Sequence, residues 1–460
     1  MDKKKNRKKD KKNKKKEFNQ MIIIRIIIVL FILLMGFLIY YKVKNDTNEE
    51  LLKQEKVNSL FSTFNSSTYV NVSKYIVYGT HFNIEGTLEI NKVSGISIKN
   101  VNLIVKNLND EETVIKSDYN YSDDIVSFST SDEINSGLNL ETLSNDLHYL
   151  LLKVSFSNGD INYYSLSNTT EYSDITYYTI TKNNTNSKIE IGFDKYNDIP
   201  YMSLDVSRVA SLPKDVYDVV IDPGHGGADA GAVYKEYKES SIVLDCAKSL
   251  KTKLESLGLK VLLTRDGTED SNYKESNMYD EGGRVTTANE SSAKLLISLH
   301  MNSNSDVTSG GLEVYAPCSC DLTLATSLAK NISQYSNANF SPRTSFKKAD
   351  GVYVQYFTNA DILAFKTRAI KGNYEPYNLT KSTPYLYMIR EIGGICTNAF
   401  VDGRNPNYGT NEHYNSNVGI EGYLIELGYM KVQNDLQNIL SNYDKYMEGI
   451  SQSIKSFYNL

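Results

Sequence analysis

A chain of 460 residues with 40% apolar side chains is too long for one ordinary domain and can bury more than one core. Its net charge of -5 is unevenly spread: residues 1–20 hold eleven Lys/Arg and three acids, a local +8, so the remainder sums to -13. Four cysteines in a chain of this size exclude a disulfide scaffold.

Taken in order, the lysine-rich tail 1–20 is followed by an apolar run, 21–41, broken by Arg25 alone. That run approaches the roughly 20 residues that cross a bilayer, and Arg25 near its basic end can snorkel to the headgroups. No small-residue cleavage pattern follows Tyr40-Tyr41-Lys42, so the segment is expected to be a retained transmembrane helix. The positive-inside rule then predicts a single-pass protein of the cell membrane, with a cytoplasmic N-terminus and an extracellular remainder. A nucleic-acid role for the tail is set aside on the same ground. Residues 42–64 read as a polar stalk.

Residues 65–211 change character. Short alternating runs rich in Thr, Tyr, Val and Ile, such as 81–90, 101–105, 149–156 and 175–180, are separated by turn signals like Ser157-Asn158-Gly159-Asp160. Strands at this spacing predict a β-rich, sandwich-like domain. His148 there reads as a packed or surface residue.

Pro213 marks a second change, to alternating strand and helix over 212–460. A β-branched strand at Val219-Val220-Ile221 precedes an apolar helical stripe at 243, 247, 250, 254 and 257, which Gly258 is placed to end. Further strands are expected at 259–264, 293–299, 311–315 and 422–427, and helices near 322–336, 383–396 and from 435 onward. This alternation predicts an α/β domain: a mainly parallel sheet with helices on both faces. Cys246 and Cys396 read as core thiols, and Cys318 and Cys320 as loop thiols or one disulfide.

Open α/β sheets place their chemistry at the carboxyl ends of the strands. His225 follows the first strand in Asp222-Pro223-Gly224-His225-Gly226-Gly227, and His300 ends another. Glu239 opens the first helix, where a carboxylate suits the helix dipole. Two histidines and a carboxylate with one open position fit a catalytic zinc. Glu426 lies in the apolar strand Leu424-Ile425-Glu426-Leu427, and burying a carboxylate without a partner is costly enough to point to a paired, metal-linked or catalytic role.

These motifs, with Asp229-Ala230-Gly231, Thr264-Arg265, Arg284 and Ala288-Asn289 between them, resemble in order those of zinc-dependent N-acetylmuramoyl-L-alanine amidases of the amidase-3 type, over about 217–458. The resemblance implies a zinc-hydrolase fold, one Zn2+ per catalytic domain held by His225, Glu239 and His300, and Glu426 as catalytic carboxylate. The implied substrate is the amide between N-acetylmuramic acid and L-alanine in peptidoglycan. Two departures stand out: Ser240 replaces the lysine that commonly follows the ligand glutamate, and the preceding loop is one residue short, which makes Glu236 an alternative ligand. Asn302, Arg390 and Arg404 are candidate substrate-binding residues, and His413 reads as a surface residue. Two other functions compete: a zinc peptidase cutting within wall peptides, and a non-catalytic wall-binding scaffold.

Overall fold

The computed structural model describes residues 34–37, 40–44, 51, 55, 68–91, 94–130, 135–181, 185–269, 282–303, 309–373, 379–392 and 417–460. The chain divides into two compact units, 1–65 and 66–460.

The membrane span expected over 21–41 requires correction. A crossing takes about 20 continuous apolar helical residues, and among the described residues no helix is long and apolar enough. The helical stretches described there are 34–37 and 40–44; the rest of 21–41, like the lysine-rich tail, lies outside the described residues. The single-pass anchor, and the cytoplasmic and extracellular sides inferred from it, do not stand.

The α/β part is built on a seven-stranded sheet. Its strands are β1 (Val219–Pro223), β2 (Val261–Leu263), β3 (Leu295–Asn302), β4 (Glu313–Tyr315), β5 (Lys347–Ala349), β6 (Val352–Tyr353) and β7 (Glu421–Tyr429), in the order β2-β1-β3-β7-β4-β6-β5. Strands β2, β1, β3 and β7 run parallel to their neighbours. Strand β4 is antiparallel to β7, and β5 to β6, so the sheet is more mixed than strand–helix alternation suggests. The connection 303–312 from β3 to β4 is shorter than the dozen or more residues a parallel crossover takes, so the chain turns back.

Among the described residues this part holds the helices α1 (Glu239–Ser256), α2 (Arg284–Glu290), α3 (Thr323–Ser336), α4 (Asn359–Gly372), α5 (Tyr387–Arg390) and α6 (Gln433–Phe457); α1, α2, α3, α5 and α6 pack on the sheet, whereas α4 buries only Ala369. Helix α1 buries Val243, Cys246, Ala247, Leu250 and Leu254, one stripe at helical spacing. Gly258 follows at φ +88°, in the left-handed region expected of it. Alternate strand residues face opposite sides. Val219, Ile221 and Ile297 therefore join residues of α1, α3 and α6 in one core, while Val220 and Leu296 meet Val285, Ala288 and Met388 from α2 and α5 in another.

Residues 68–208 supply the strands of two sheets, six to one centred on Val70–Tyr78 and His81–Glu89, which Val418–Gly419 completes as a seventh, and seven to one centred on Ile98–Asn107, Leu147–Phe156 and Ile199–Arg208. Val72, Tyr75 and Ile84 of the first share one buried cluster with Leu103, Leu152 and Leu204 of the second. This part is joined to the α/β part by main chain. Val77 and Tyr78 pair in parallel with Val418 and Gly419, just before β7.

Candidate metal centre

Strand β1 is wholly buried and ends in a turn whose backbone is tightly held. His225 has φ +60°, a region that costs a non-glycine residue about 1 kcal/mol or more and persists only where neighbours enforce it. Two arginines enforce it. Arg265 donates from Nε to the Pro223 carbonyl (2.8 Å) and from Nη2 to the carbonyls of Gly224 (2.8 Å) and Ser240 (2.7 Å). Arg284 donates from Nη2 to the His225 carbonyl at 2.6 Å. Gly224 has no substitute, because a Cβ there would stand 2.2 Å from Cε1 of His300.

Beneath the turn lies Asp222, fully buried. Its carboxylate accepts from Thr264 Oγ1 (2.6 Å), Ser298 Oγ (2.7 Å) and Arg284 Nη1 (2.8 Å). Burial alone would raise its pKa; the Arg284 charge and the two hydroxyls outweigh burial and hold it below the usual carboxylate range. Asp222 thus ties β1, β2, β3 and α2 together under the site.

Above it, His225, Glu239 and His300 each offer a ligand atom, all within 4.8 Å of one another. Glu239 Oε1 lies 3.1 Å from His225 Nε2 and 3.2 Å from His300 Nδ1. The same oxygen accepts from the Met301 amide (2.9 Å), and Oε2 accepts from the Ala232 amide (2.8 Å), which fixes the carboxylate at the head of α1. Asp229 Oδ2 takes the other ring nitrogen of His225, Nδ1, at 2.7 Å. That bond sets the tautomer and leaves Nε2 for a metal. A Cβ at Gly231 would stand 2.7 Å from both Glu239 Oε2 and the His225 ring, so the loop must pass here as glycine.

Electrostatics favour a cation in this cluster. Burial disfavours a charged His225, yet the carboxylates of Glu239 and Asp229 outweigh it and push the imidazole up to about 9. His300 is raised in the same direction, with burial overcome by Glu239 and Glu426. Glu239 resists protonation despite its burial, because both imidazoles face it. Two neutral imidazoles and one carboxylate are a donor set suited to zinc, and the residues fit that ion.

Glu426 is placed by register: on β7 it is the direct partner of His300 on β3 and of Glu313 on β4. Burial pushes its carboxyl up to about 7, and Oε2 has no hydrogen-bond partner among the described residues. Glu313, which sequence reasoning missed, is fully buried. It accepts from the hydroxyls of Tyr429 (2.7 Å) and Tyr315. The signal that marked Glu426, an acid inside an apolar strand, was present in Leu312-Glu313-Val314-Tyr315 as well.

The remaining expected residues fall differently. Asn302 lies at the end of β3 and donates from Nδ2 to Glu313 Oε2 at 3.3 Å. Arg390 is largely buried and donates to Glu391 (2.8 Å) and to the carbonyls of Pro384 and Tyr385, so its guanidinium braces its own turn. Glu236 is exposed at the tip of a short hairpin, and it is Glu239 that meets the histidines. His148 is packed, with Nδ1 3.0 Å from the Asp146 carbonyl. Cys246 and Cys318 are buried free thiols, and Cys320 is buried with Sγ 3.7 Å from the Tyr423 hydroxyl. Arg404, His413 and Cys396 lie outside the described residues.

A known family matches this part of the chain. Residues 219–385 match the family Amidase_3, described as N-acetylmuramoyl-L-alanine amidase. The chain is 28% identical over 171 residues to the N-acetylmuramoyl-L-alanine amidase LytC of Bacillus subtilis, covering 37% of this chain and 33% of that protein. It is 35% identical over 98 residues to the germination-specific N-acetylmuramoyl-L-alanine amidase of the same organism, covering 20% of this chain and 41% of that protein. It thus spans about a third to two fifths of these relatives. An N-acetylmuramoyl-L-alanine amidase structure from Clostridium difficile 630 aligns with 54% of this chain and 98% of its own, at 22% identity and a TM-score of 0.34. The catalytic domain of CwlV from Bacillus (Paenibacillus) polymyxa aligns with 53% and 99%, at 19% identity and a TM-score of 0.34.

Proposed function

We propose, from the amidase-3 catalytic domain that this chain carries across residues 219–385, that the protein is a zinc-dependent N-acetylmuramoyl-L-alanine amidase hydrolysing peptidoglycan. In this reading 212–460 is the catalytic domain and 65–211 its β-rich companion. The observation that carries the proposal is the convergence of His225, Glu239 and His300 beside a buried carboxylate oxygen of Glu426 that has no partner among the described residues.

His225 through Nε2, Glu239 and His300 would hold the zinc ion, which when bound supplies a Lewis acid and lowers the pKa of a coordinated water. Asp229 keeps Nδ1 of His225 occupied, so the imidazole stays oriented for ligation. Glu426 is the proton carrier: its carboxylate takes a proton from the attacking water and returns it to the departing amide nitrogen. An apolar strand environment that raises this carboxyl toward neutrality suits it to both transfers.

The test is digestion of purified peptidoglycan by the full chain with added zinc, followed by mass spectrometry of the soluble products. The proposal expects intact stem peptides that begin with alanine. Fragments cut within the stem would instead show a peptidase, and no soluble product would leave a non-catalytic scaffold.

A further inference from the structure

Side chains on directly paired residues of neighbouring strands share one face of a sheet. The pairings His300–Glu426 and Glu426–Glu313 therefore set three ionisable groups in a row across β3, β7 and β4. The row continues to Arg343, whose Nη1 lies 3.6 Å from Glu313 Oε2 and donates to the Tyr315 hydroxyl at 2.6 Å.

Arg343 is held in place without being used up. Its own carbonyl accepts from the Tyr353 hydroxyl at 3.1 Å, and that hydroxyl also meets the Ser341 carbonyl at 3.0 Å, so the backbone here is anchored to β6. The guanidinium stands 6.0 Å from the rings of Tyr315 and of Phe346. A residue present only to neutralise Glu313 would form a close, two-pronged pair with it. Glu313 instead takes its hydrogen bonds from Tyr429, Tyr315 and Asn302, and the arginine stays at 3.6 Å. Among the described residues only Nη1 is engaged, while the side chain is 32% exposed. Nε and Nη2 remain as a planar fork of donors.

Spacing indicates what that fork meets. Neighbouring strands are about 4.8 Å apart, so Glu313 stands one such step from Glu426, and Arg343, whose guanidinium meets Glu313 and Tyr315, lies beyond it. An extended peptide advances about 3.4 Å per residue, so a chain with its reacting amide at Glu426 brings its second or third residue within reach of Arg343. A planar carboxylate is the group that a guanidinium fork binds best. Resting on the amidase reading, we propose that Arg343 is a specificity residue that binds a carboxylate on the second peptide residue beyond the cleaved amide. Glu313 and Tyr315 position it for that role.

Two muramoyl dipeptides, one with the carboxylates of its second residue free and one with them amidated, provide the probes. Calorimetry with the full-length zinc-loaded Glu426→Gln chain, which holds ligand without turnover, should show at least tenfold tighter binding of the acid. Adding Arg343→Gln should bring the two affinities within twofold, with an unchanged thermal midpoint. Arg343→Lys, which keeps the charge and loses the fork, should fall between and serves if the glutamine variant does not fold. In turnover, Arg343→Gln should raise KM for the acid about tenfold, with kcat and the amidated substrate little changed. A preference that survives in the double variant, or is absent from the Glu426→Gln chain, overturns the proposal. Failure of the parent chain to release peptide would sink the amidase reading alone, because the binding ratio is measured without turnover.

Discussion

At the carboxyl edge of the seven-stranded sheet, His225, Glu239 and His300 turn ligand atoms toward one another, and Glu426 stands beside them. At the opposite edge, where the sheet meets the β-rich part, charge is buried too. Lys294 is almost fully buried, with Nζ 3.8 Å from Asp218 and 5.5 Å above the Tyr177 ring. Burial lowers its pKa against the pull of Asp218 and Glu141. Glu421, buried at the start of β7, accepts from Asn135 of the β-rich part at 3.2 Å and from the Tyr423 hydroxyl. Both edges hold shifted carboxyls and cations, so perturbed ionisation does not by itself distinguish a site from a seam. Convergence does. At the seam Lys294 and Glu421 point to separate partners and, among the described residues, no set of ligand atoms meets, whereas at the carboxyl edge two imidazoles and a carboxylate bring ligand atoms within 4.8 Å of one another.

The largest expected effect separates the two edges by function. Glu426→Gln should lower kcat by roughly 10²–10⁴-fold while bound zinc, measured by elemental analysis, stays at the parent level. A hydrolysis rate equal to the parent's would remove Glu426 from its role. Next comes the support beneath the site: Asp222→Ala leaves the Arg284 guanidinium buried without its carboxylate, at an expected cost of about 3–5 kcal/mol in denaturant unfolding. A loss below about 1 kcal/mol would show that Thr264, Ser298 and Arg284 hold the turn without it.

The smallest effect belongs to the seam and appears as pH dependence. Burial raises the Glu421 carboxyl from 4.5 to about 7, so the folded chain holds that proton more tightly than the unfolded chain does. Its contribution to stability is complete below about pH 4.5 and is lost as pH rises through about 7, on the order of 3 kcal/mol in all. Glu421→Gln should flatten the thermal midpoint over that range and raise it at pH 7.5. An unchanged profile would mean that Asn135 and Tyr423 stabilise the ionised form fully.

Much of the carboxyl edge was legible in the sequence because strand ends announce themselves there. The apolar runs at 219–221 and 295–299 stop at glycine-bounded or polar residues, and the parallel order brings those stops together. What was not legible depended on pairing between distant segments. The partner of β4 is not written in a three-residue strand, so its register with β7, and with it the place of Glu313 beside Glu426, was invisible. Arg265 and Arg284 stood out in the sequence only as motif residues, and what they hold is seen only in their carbonyl partners. Arg390, read as a substrate residue, sits among the carbonyls of its own turn. The run 21–41 shows how far composition alone reaches: its hydropathy suggested a span, but no described helix has the continuous length to make one.

The most direct test of the central claim is metal removal from the full-length chain, with zinc content and peptidoglycan hydrolysis measured on the same sample. The account predicts that release of alanine-terminated stem peptides is lost as zinc is stripped and returns on adding about one equivalent of zinc per chain. Undiminished hydrolysis by a chain free of measurable metal would contradict it.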